Sequence, residues 1–227
     1  MTSNCYQFHK ASSGIKIPKH MKPSILLGGW LPENLRRYKE LEDWKHERLN
    51  AEQKNEFDKQ FLLHVDAFLS QCKKSITLLQ ESCYEQWVEQ TKKTKTICHQ
   101  DFAAGNLLID KKGNLQVFDM DSLTIDLPIR DMRKILNKVM KKRKKWSLDV
   151  MNNMVEAYQS INPLTNEQLI VLTADVLFPH LFYGQVSKYY EKREKEWTEE
   201  KHISRLKDTI FTELSKESTI KAYRYRL

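Results

Sequence analysis

Apolar positions along this chain recur mostly at helical spacing, and strand character is confined to one short stretch near the middle. The first thirty residues carry no periodicity. Pro18, Pro23 and the Gly28-Gly29 pair break any helix, which predicts an irregular N-terminal segment over 1–30. From Pro32 the pattern turns helical, with Leu41, Trp44 and Leu49 marking the apolar side of a charged helix over 32–50. Phe61, Val65, Phe68, Leu69 and Cys72 follow i, i+4, i+7, i+8, i+11, an amphipathic helix. Ile76, Leu79, Cys83 and Trp87 mark a third, so residues 1–96 are expected to hold no strand. Strand character arrives with Leu107-Leu108-Ile109 and Leu115-Gln116-Val117-Phe118, which flank Asp110-Lys-Lys-Gly113-Asn114 as a hairpin with Gly113 available for positive φ.

Helices resume beyond the hairpin. Asp126 and Pro128 suit the start of a helix running to 142. Ser147 opens another, with Leu148, Met151, Val155 and Tyr158 on one face. Thr165 and Gln168 form a capping box for the next. Residues 168–183 read as one buried helix and 185–216 as charged and helical. The fold class expected is therefore mostly α (α+β overall), a single domain over 1–227 with a central β-hairpin.

Composition agrees with that picture and narrows the function classes. With 227 residues, 40% of them hydrophobic, the chain buries a real core, and only six Gly and six Pro favour helix over sheet. Cys5, Cys72, Cys83 and Cys98 form no CxxC or Cys/His pattern, which fits a reduced intracellular protein without structural zinc. No apolar run approaches the ~18–20 residues of a membrane span, and residues 1–20 lack a signal-peptide core, so no membrane partner is expected. The formal charge is +8. Much of it lies in Lys134, Lys138, Lys141, Lys142, Arg143, Lys144 and Lys145. The plainest reading is a solvated helix end, where cations also suit the C-terminal dipole. A polyanionic partner is the alternative. Nucleic acid is a distant third, because no aromatic residues interleave with the run.

The chemistry is concentrated in His99-Gln-Asp101-Phe-Ala-Ala-Gly-Asn106 and, after the hairpin, Phe118-Asp119-Met-Asp121. An Asp, an Asn five residues on and a further Asp beyond a short hairpin are the parts a phosphoryl-transfer site needs. One carboxylate, Asp101, accepts the proton of an attacking hydroxyl. The Asn106 amide oxygen and the Asp119 carboxylate hold Mg²⁺ against nucleotide phosphates. Asp101 and Asn106 enter the first strand and Asp119 leaves the second, so a tight hairpin returns them to one cleft. His99 is expected to pack under the loop and bond to backbone, keeping Asp101 and the Asp119 segment in register. Asp131 is expected to anchor the loop by accepting backbone N–H groups from the start of the next helix.

Residues 97–133 resemble the catalytic core of the aminoglycoside/choline-phosphotransferase-like kinases. They resemble more closely the spore-coat CotS branch of that group, found in Bacillus-type spore formers. The Cys98-His99-Gln100-Asp101 opening and the Asp121-Ser122 to Asp126-Leu-Pro-Ile-Arg-Asp131 tail carry the likeness. It extends upstream through Phe8-His9-Lys-Ala-Ser-Ser-Gly14 and downstream through Pro163-Leu-Thr165, Gln168 and Leu177-Phe-Pro179. The resemblance implies a protein-kinase-like C-lobe with Asp101 as catalytic base, Asn106 and Asp119 as metal ligands, and His99 and Asp131 as supports. Asp121 matches a position to which the resemblance attaches no role.

The resemblance begins near residue 8, already at the start of a C-lobe, and no GxGxxG or strand-borne lysine precedes the motif. The expectation is a lobe without its ATP-gripping N-lobe: a truncated frame, a half supplied by another chain, or a protein that does not use ATP. Two functions follow. One is a spore-coat-associated protein in the mother-cell cytoplasm or the coat, with other coat proteins or the missing lobe as partners. The other is an MgATP-dependent phosphotransferase acting on a small-molecule or protein hydroxyl. Mg²⁺ and ATP are the cofactors if it is active, and none is needed if it is not. Acceptor choice would fall to the helices around 32–96 and at the C-terminus. A lobe shaped beneath another should present apolar side chains at its cleft mouth, some of them in residues 8–30.

Overall fold

A computed structural model describes residues 2–16, 22–102, 104–111 and 115–224. The hairpin tip with Gly113, and Cys5 as a side chain, lie outside what it describes. The longest helix, α3 (Glu56–Gln80), forms the axis. Asn55 caps it, accepting from the Asp58 N–H while the Asp58 carboxylate bonds back to the Asn55 N–H. Against it pack α2 (Trp30–Asn50), α7 (Asn166–Leu177) and α9 (Glu199–Leu214). Leu41, Phe57, Phe61, Val65 and Phe68 are fully buried with Phe178, Phe182 and Leu206 in one apolar cluster. The Phe182 ring stacks on Phe68 at 3.9 Å between centroids. A second cluster joins Trp30, Leu127, Leu136, Met140, Met151, Val155 and Leu172 beneath α5 (Ile129–Arg143) and α6 (Leu148–Gln159).

The helices after the hairpin begin at the expected caps. Ser147 accepts from the Val150 N–H, and Thr165 with Gln168 forms the capping box of α7. Five expectations require correction. Residues Thr2–Ser12 form a helix, α1, where an irregular segment was expected. It is held by tertiary contacts, with His9 buried against Asp131 and Tyr158 and Phe8 edge-on to Phe102. Ser24–Ile25 is a short strand, β1, running parallel to β5 (Thr124–Ile125), which also pairs antiparallel with β2 (Ile97–Cys98). Two residues are too few to leave a period-2 signal. The expected third helix divides between α3, which absorbs Ile76 and Leu79, and α4 (Tyr84–Thr94), whose N-cap is Cys83. The expected helix over 168–183 breaks at Phe178-Pro179, where proline has no N–H to donate, and α8 runs His180–Tyr190. The charged stretch after it is interrupted before α9 and again at Ser215, ahead of α10 (Lys216–Arg224).

The span Asn166–Tyr190 has the length and apolar composition of a membrane segment, contrary to the expectation of no such run. Most of it is buried inside the fold, and its apolar side chains belong to the two clusters already described.

The hairpin lies apart from the three-stranded sheet. Its strands β3 (Leu107–Ile109) and β4 (Leu115–Val117) pair antiparallel in the register Leu107 to Val117, Leu108 to Gln116 and Ile109 to Leu115. The outer surface here is apolar. Leu108, Ile109, Phe118 and Met120 are exposed, as are Ile15, Ile25 and Leu26 from the N-terminal segment.

Candidate active site

The loop after β2 is fixed by one carboxylate. Asp131, in the first turn of α5 and 1% exposed, accepts the N–H of His99 on one oxygen and the N–H of Gln100 on the other, each at 2.7 Å. The first of those oxygens also meets His9 Nε2 at 3.0 Å. Gln100 is held at φ 69, a left-handed conformation that costs a non-glycine residue energy and persists only under such constraint. Its side chain is bonded as well: Nε2 donates to the Ser122 carbonyl, while Oε1 accepts from Arg130 and Lys134.

His99 is fully buried and joins the two halves of the site. Its Nδ1 accepts the Asp101 N–H at 3.2 Å, which leaves the proton on Nε2 to be donated to the Phe118 carbonyl at 2.9 Å. Asp101 is thereby held on one side of the ring and the segment entering Asp119 on the other. Asn106 closes the loop. Its Nδ2 donates to the Asp101 carbonyl at 3.0 Å and to the Asp101 carboxylate at 3.1 Å, and its own carbonyl accepts the Phe118 N–H at 2.9 Å. With its Nδ2 donating to Asp101, Asn106 Oδ1 has no hydrogen-bond donor among the described residues. Asp119 follows Phe118 directly, sits at φ 60, is exposed, and makes no side-chain capping bond to the turn that follows. Asp121 is exposed within the 3-10 turn Met120–Ser122.

The structure thus brings His99, Asp101, Asn106 and the backbone leading to Asp119 onto one loop system, with Asp131 beneath it. Asp121 stands at its edge. Asn106 Oδ1 and the Asp119 carboxylate are hard oxygen donors of the type Mg²⁺ takes.

Four participants carry no site role in the sequence pattern: His9 and Gln100, which appear only in the family likeness, and Lys134 and Lys138, which appear only in the basic run. Lys138 makes an ion pair with Asp101. That hydrogen bond, against the opposing effect of burial, holds the Asp101 carboxyl below its usual range. Lys134 donates to the Gln100 carbonyl at 3.0 Å. The basic run therefore divides. Lys134, Lys138 and Lys141 face a cavity of about 840 Å³ that begins at Asp101 and extends between α2, α5 and α8. Lys142, Arg143, Lys144 and Lys145 lie exposed at the helix end. The i, i+4, i+7 spacing was the available signal for that division. Deeper in the cavity Arg133 pairs with Asp175, which also receives His180 Nε2, both at 3.0 Å. Burial works against it, but those partners hold the Asp175 carboxyl far below its usual range.

A helical lobe with a catalytic-type loop mounted on a small hairpin defines a kinase-like fold. The likeness to solved structures is to an aminoglycoside phosphotransferase from Alicyclobacillus acidocaldarius, with a TM-score of 0.83 at 14% identity, covering 99% of this chain and 65% of that one. A spectinomycin phosphotransferase, solved in complex with ADP and spectinomycin, matches at TM-score 0.50 and 13% identity, over 98% of this chain and 64% of that one. Residues 1–223 match the family described as "Spore coat putative kinase YutH", and the chain belongs to that family. It is 36% identical over 228 residues to spore coat protein S of Bacillus subtilis (strain 168), covering 96% of this chain and 64% of that protein. The CotS-type resemblance is thereby established. The chain spans less than two thirds of the length of the relatives it matches.

Two outcomes test this construction. Replacing Asp131 with alanine leaves two loop N–H groups and His9 without their acceptor, and urea unfolding should report a loss of roughly 3–5 kcal/mol. A loss under about 1 kcal/mol would mean that the loop does not hang on this carboxylate. NMR titration should place the Asp101 carboxyl midpoint below that of an ordinary aspartate, and Lys138→Met should move it up. The sign follows from the depressed folded-state value: the stabilisation from this pair is present above the unfolded pKa and is lost as pH falls through the folded one. An unchanged midpoint in Lys138→Met would contradict the pairing.

Proposed function

We propose that this chain is the catalytic lobe of a spore-coat-associated phosphotransferase, at work in the mother-cell cytoplasm or the assembling coat. Asp101 would serve as base toward an acceptor hydroxyl, and Asn106 Oδ1 and Asp119 would hold Mg²⁺. His99 and Asp131 position the loop. One observation carries this reading: the Asn106 amide is bonded to the Asp101 carboxylate while its backbone carbonyl is bonded to the residue preceding Asp119. A protein acting only through its surface has no need of that convergence. Bound Mg²⁺ would supply charge neutralisation at the phosphates, and the chain would supply the base, the oxygen donors and their alignment.

Among the described residues no glycine-rich loop covers the cleft, so nucleotide grip would come from elements other than these. The exposed Leu108, Ile109, Phe118 and Met120 suit contact with such a covering element. The same surface favours a second reading, in which the lobe is a structural component that binds other coat proteins through this apolar face.

With Mn²⁺ standing in for Mg²⁺ and millimolar ATP present, paramagnetic broadening should centre on Asn106 and Asp119 and vanish in Asp119→Asn. Transfer of labelled γ-phosphate into extracts of sporulating cells should fall by about 10²–10⁴-fold in Asp101→Asn, the usual contribution of a general base. Broadening elsewhere, or labelling indifferent to Asp101, would contradict the phosphotransferase reading. Spores of the Asp101→Asn strain with normal coats, alongside defective coats when Ile109 and Phe118 are made polar, would favour the structural one.

A further inference from the structure

The cavity beside Asp101 has a charge imbalance that the phosphoryl-transfer parts do not explain. Its lining includes Asp101 but neither Asn106 nor Asp119, so it opens on the acceptor side of the base rather than the metal side. Eight Lys and Arg side chains line it against three carboxylates. The arginines on its walls are already neutralised: Arg37 by Glu33, Arg130 by Asp126 and Arg133 by Asp175. At the far end Lys188 pairs with Glu194 and Arg193 with Glu191. Lys138 pairs with Asp101 itself. Lys134 and Lys141 remain.

Lys134 is half-buried, and among the described residues its hydrogen bonds go to the neutral oxygens of Gln100. Burial, reinforced by the neighbouring Arg133 and Arg130 charges, pulls its ammonium down to about 8. Lys141 makes no ion pair among the described residues, and burial with Arg205 and Lys188 pushes its ammonium down against the weaker pull of Asp208. Two cations under like-charge pressure on one face of α5 are what an incoming anion would relieve. Two uncharged groups of the same cavity are also unsatisfied. Asn34 Nδ2, an amide donor, and Asn137 Oδ1, an acceptor, are buried without a hydrogen-bond partner among the described residues. Asn137 stands on α5 between Lys134 and Lys141. Unmet donors and acceptors beside unmet cations suit a ligand that carries both hydroxyls and negative charge.

We propose that this cavity binds an anionic, hydroxyl-bearing small molecule, phosphorylated or carboxylated, whose anionic group lies against Lys134 and Lys141 and whose hydroxyl is presented to Asp101. The identification as acceptor rests on the phosphotransferase reading. Binding of the anion does not. A polyamine such as an aminoglycoside would meet like charge here. The anion also offers Lys138 a second partner, which frees the Asp101 carboxylate to accept a proton.

The test is calorimetric titration of the full chain with pyrophosphate, with citrate and with spermine, in low salt and without ATP or divalent metal. Pyrophosphate or citrate should bind and spermine should not, and the stronger of the two anions tells phosphate from carboxylate. Lys134→Met and Lys141→Met should each weaken the anion about tenfold, the size of one charge-assisted contact. A variant with Lys142, Lys144 and Lys145 changed to Met should retain it within about twofold. Asp119→Asn should leave the anion affinity unchanged, so a failed metal site and a failed anion site are told apart. Spermine binding as tight as either anion, no anion binding, or anion binding lost with the 142–145 lysines but not with Lys134 and Lys141, would each overturn the proposal.

Discussion

The organisation of the candidate site depends on one buried carboxylate meeting two consecutive backbone N–H groups. Asp131 binds both His99 and Gln100, and its position in the first turn of α5 means the loop is tied to a helix rather than to another loop. The helix N-terminus stabilises a negative charge at that place, and the N–H donors compensate its burial. His9 adds a third bond from α1, so the N-terminal helix is coupled to the loop through the same oxygen pair. The left-handed backbone at Gln100 is the cost of the arrangement, and it sets the direction in which Asp101 leaves the loop.

A second tier of the design is electrostatic. Asp101 is held ionised by Lys138, and the same contact makes it a weaker base while it lasts. The surrounding cavity is rich in cations whose partners are mostly internal carboxylates, so its field is set by a few uncompensated lysines rather than by the gross count. The +8 of the whole chain says nothing about that distribution. It becomes meaningful only in the folded chain, where Lys134, Lys138 and Lys141 of α5 line a cavity together with residues of α2 and α8.

Local signals in the sequence reached far. The spacing of His99, Asp101, Asn106 and Asp119 and the cap signatures at Ser147 and Thr165 depend on neighbours within a turn or a hairpin, and such signals survive reading one residue at a time. What escaped was set by partners distant in sequence. Thr2–Ser12 has no strong apolar face, and its helix exists because His9 and Phe8 find Asp131, Tyr158 and Phe102 across the fold. β1 is defined only by its pairing with β5, a hundred residues away. Lys134 and Lys138 read as part of a solvated run because the rest of the cavity they line comes from elements distant in sequence, α2 and α8 among them. Gln100 belongs to the opening that carries the family likeness but has no role assigned to it there, whereas its side chain ties the loop to Ser122, Arg130 and Lys134.

If Asp131 is the anchor of the loop, the amide protons of His99 and Gln100 are among the best protected in the chain although they lie outside regular structure. Residue-resolved hydrogen exchange measures this directly. The account predicts protection of both amides approaching that of the α3 core, and its collapse in Asp131→Ala while α3 stays protected. Exchange at His99 and Gln100 as fast as at exposed loop positions would contradict it.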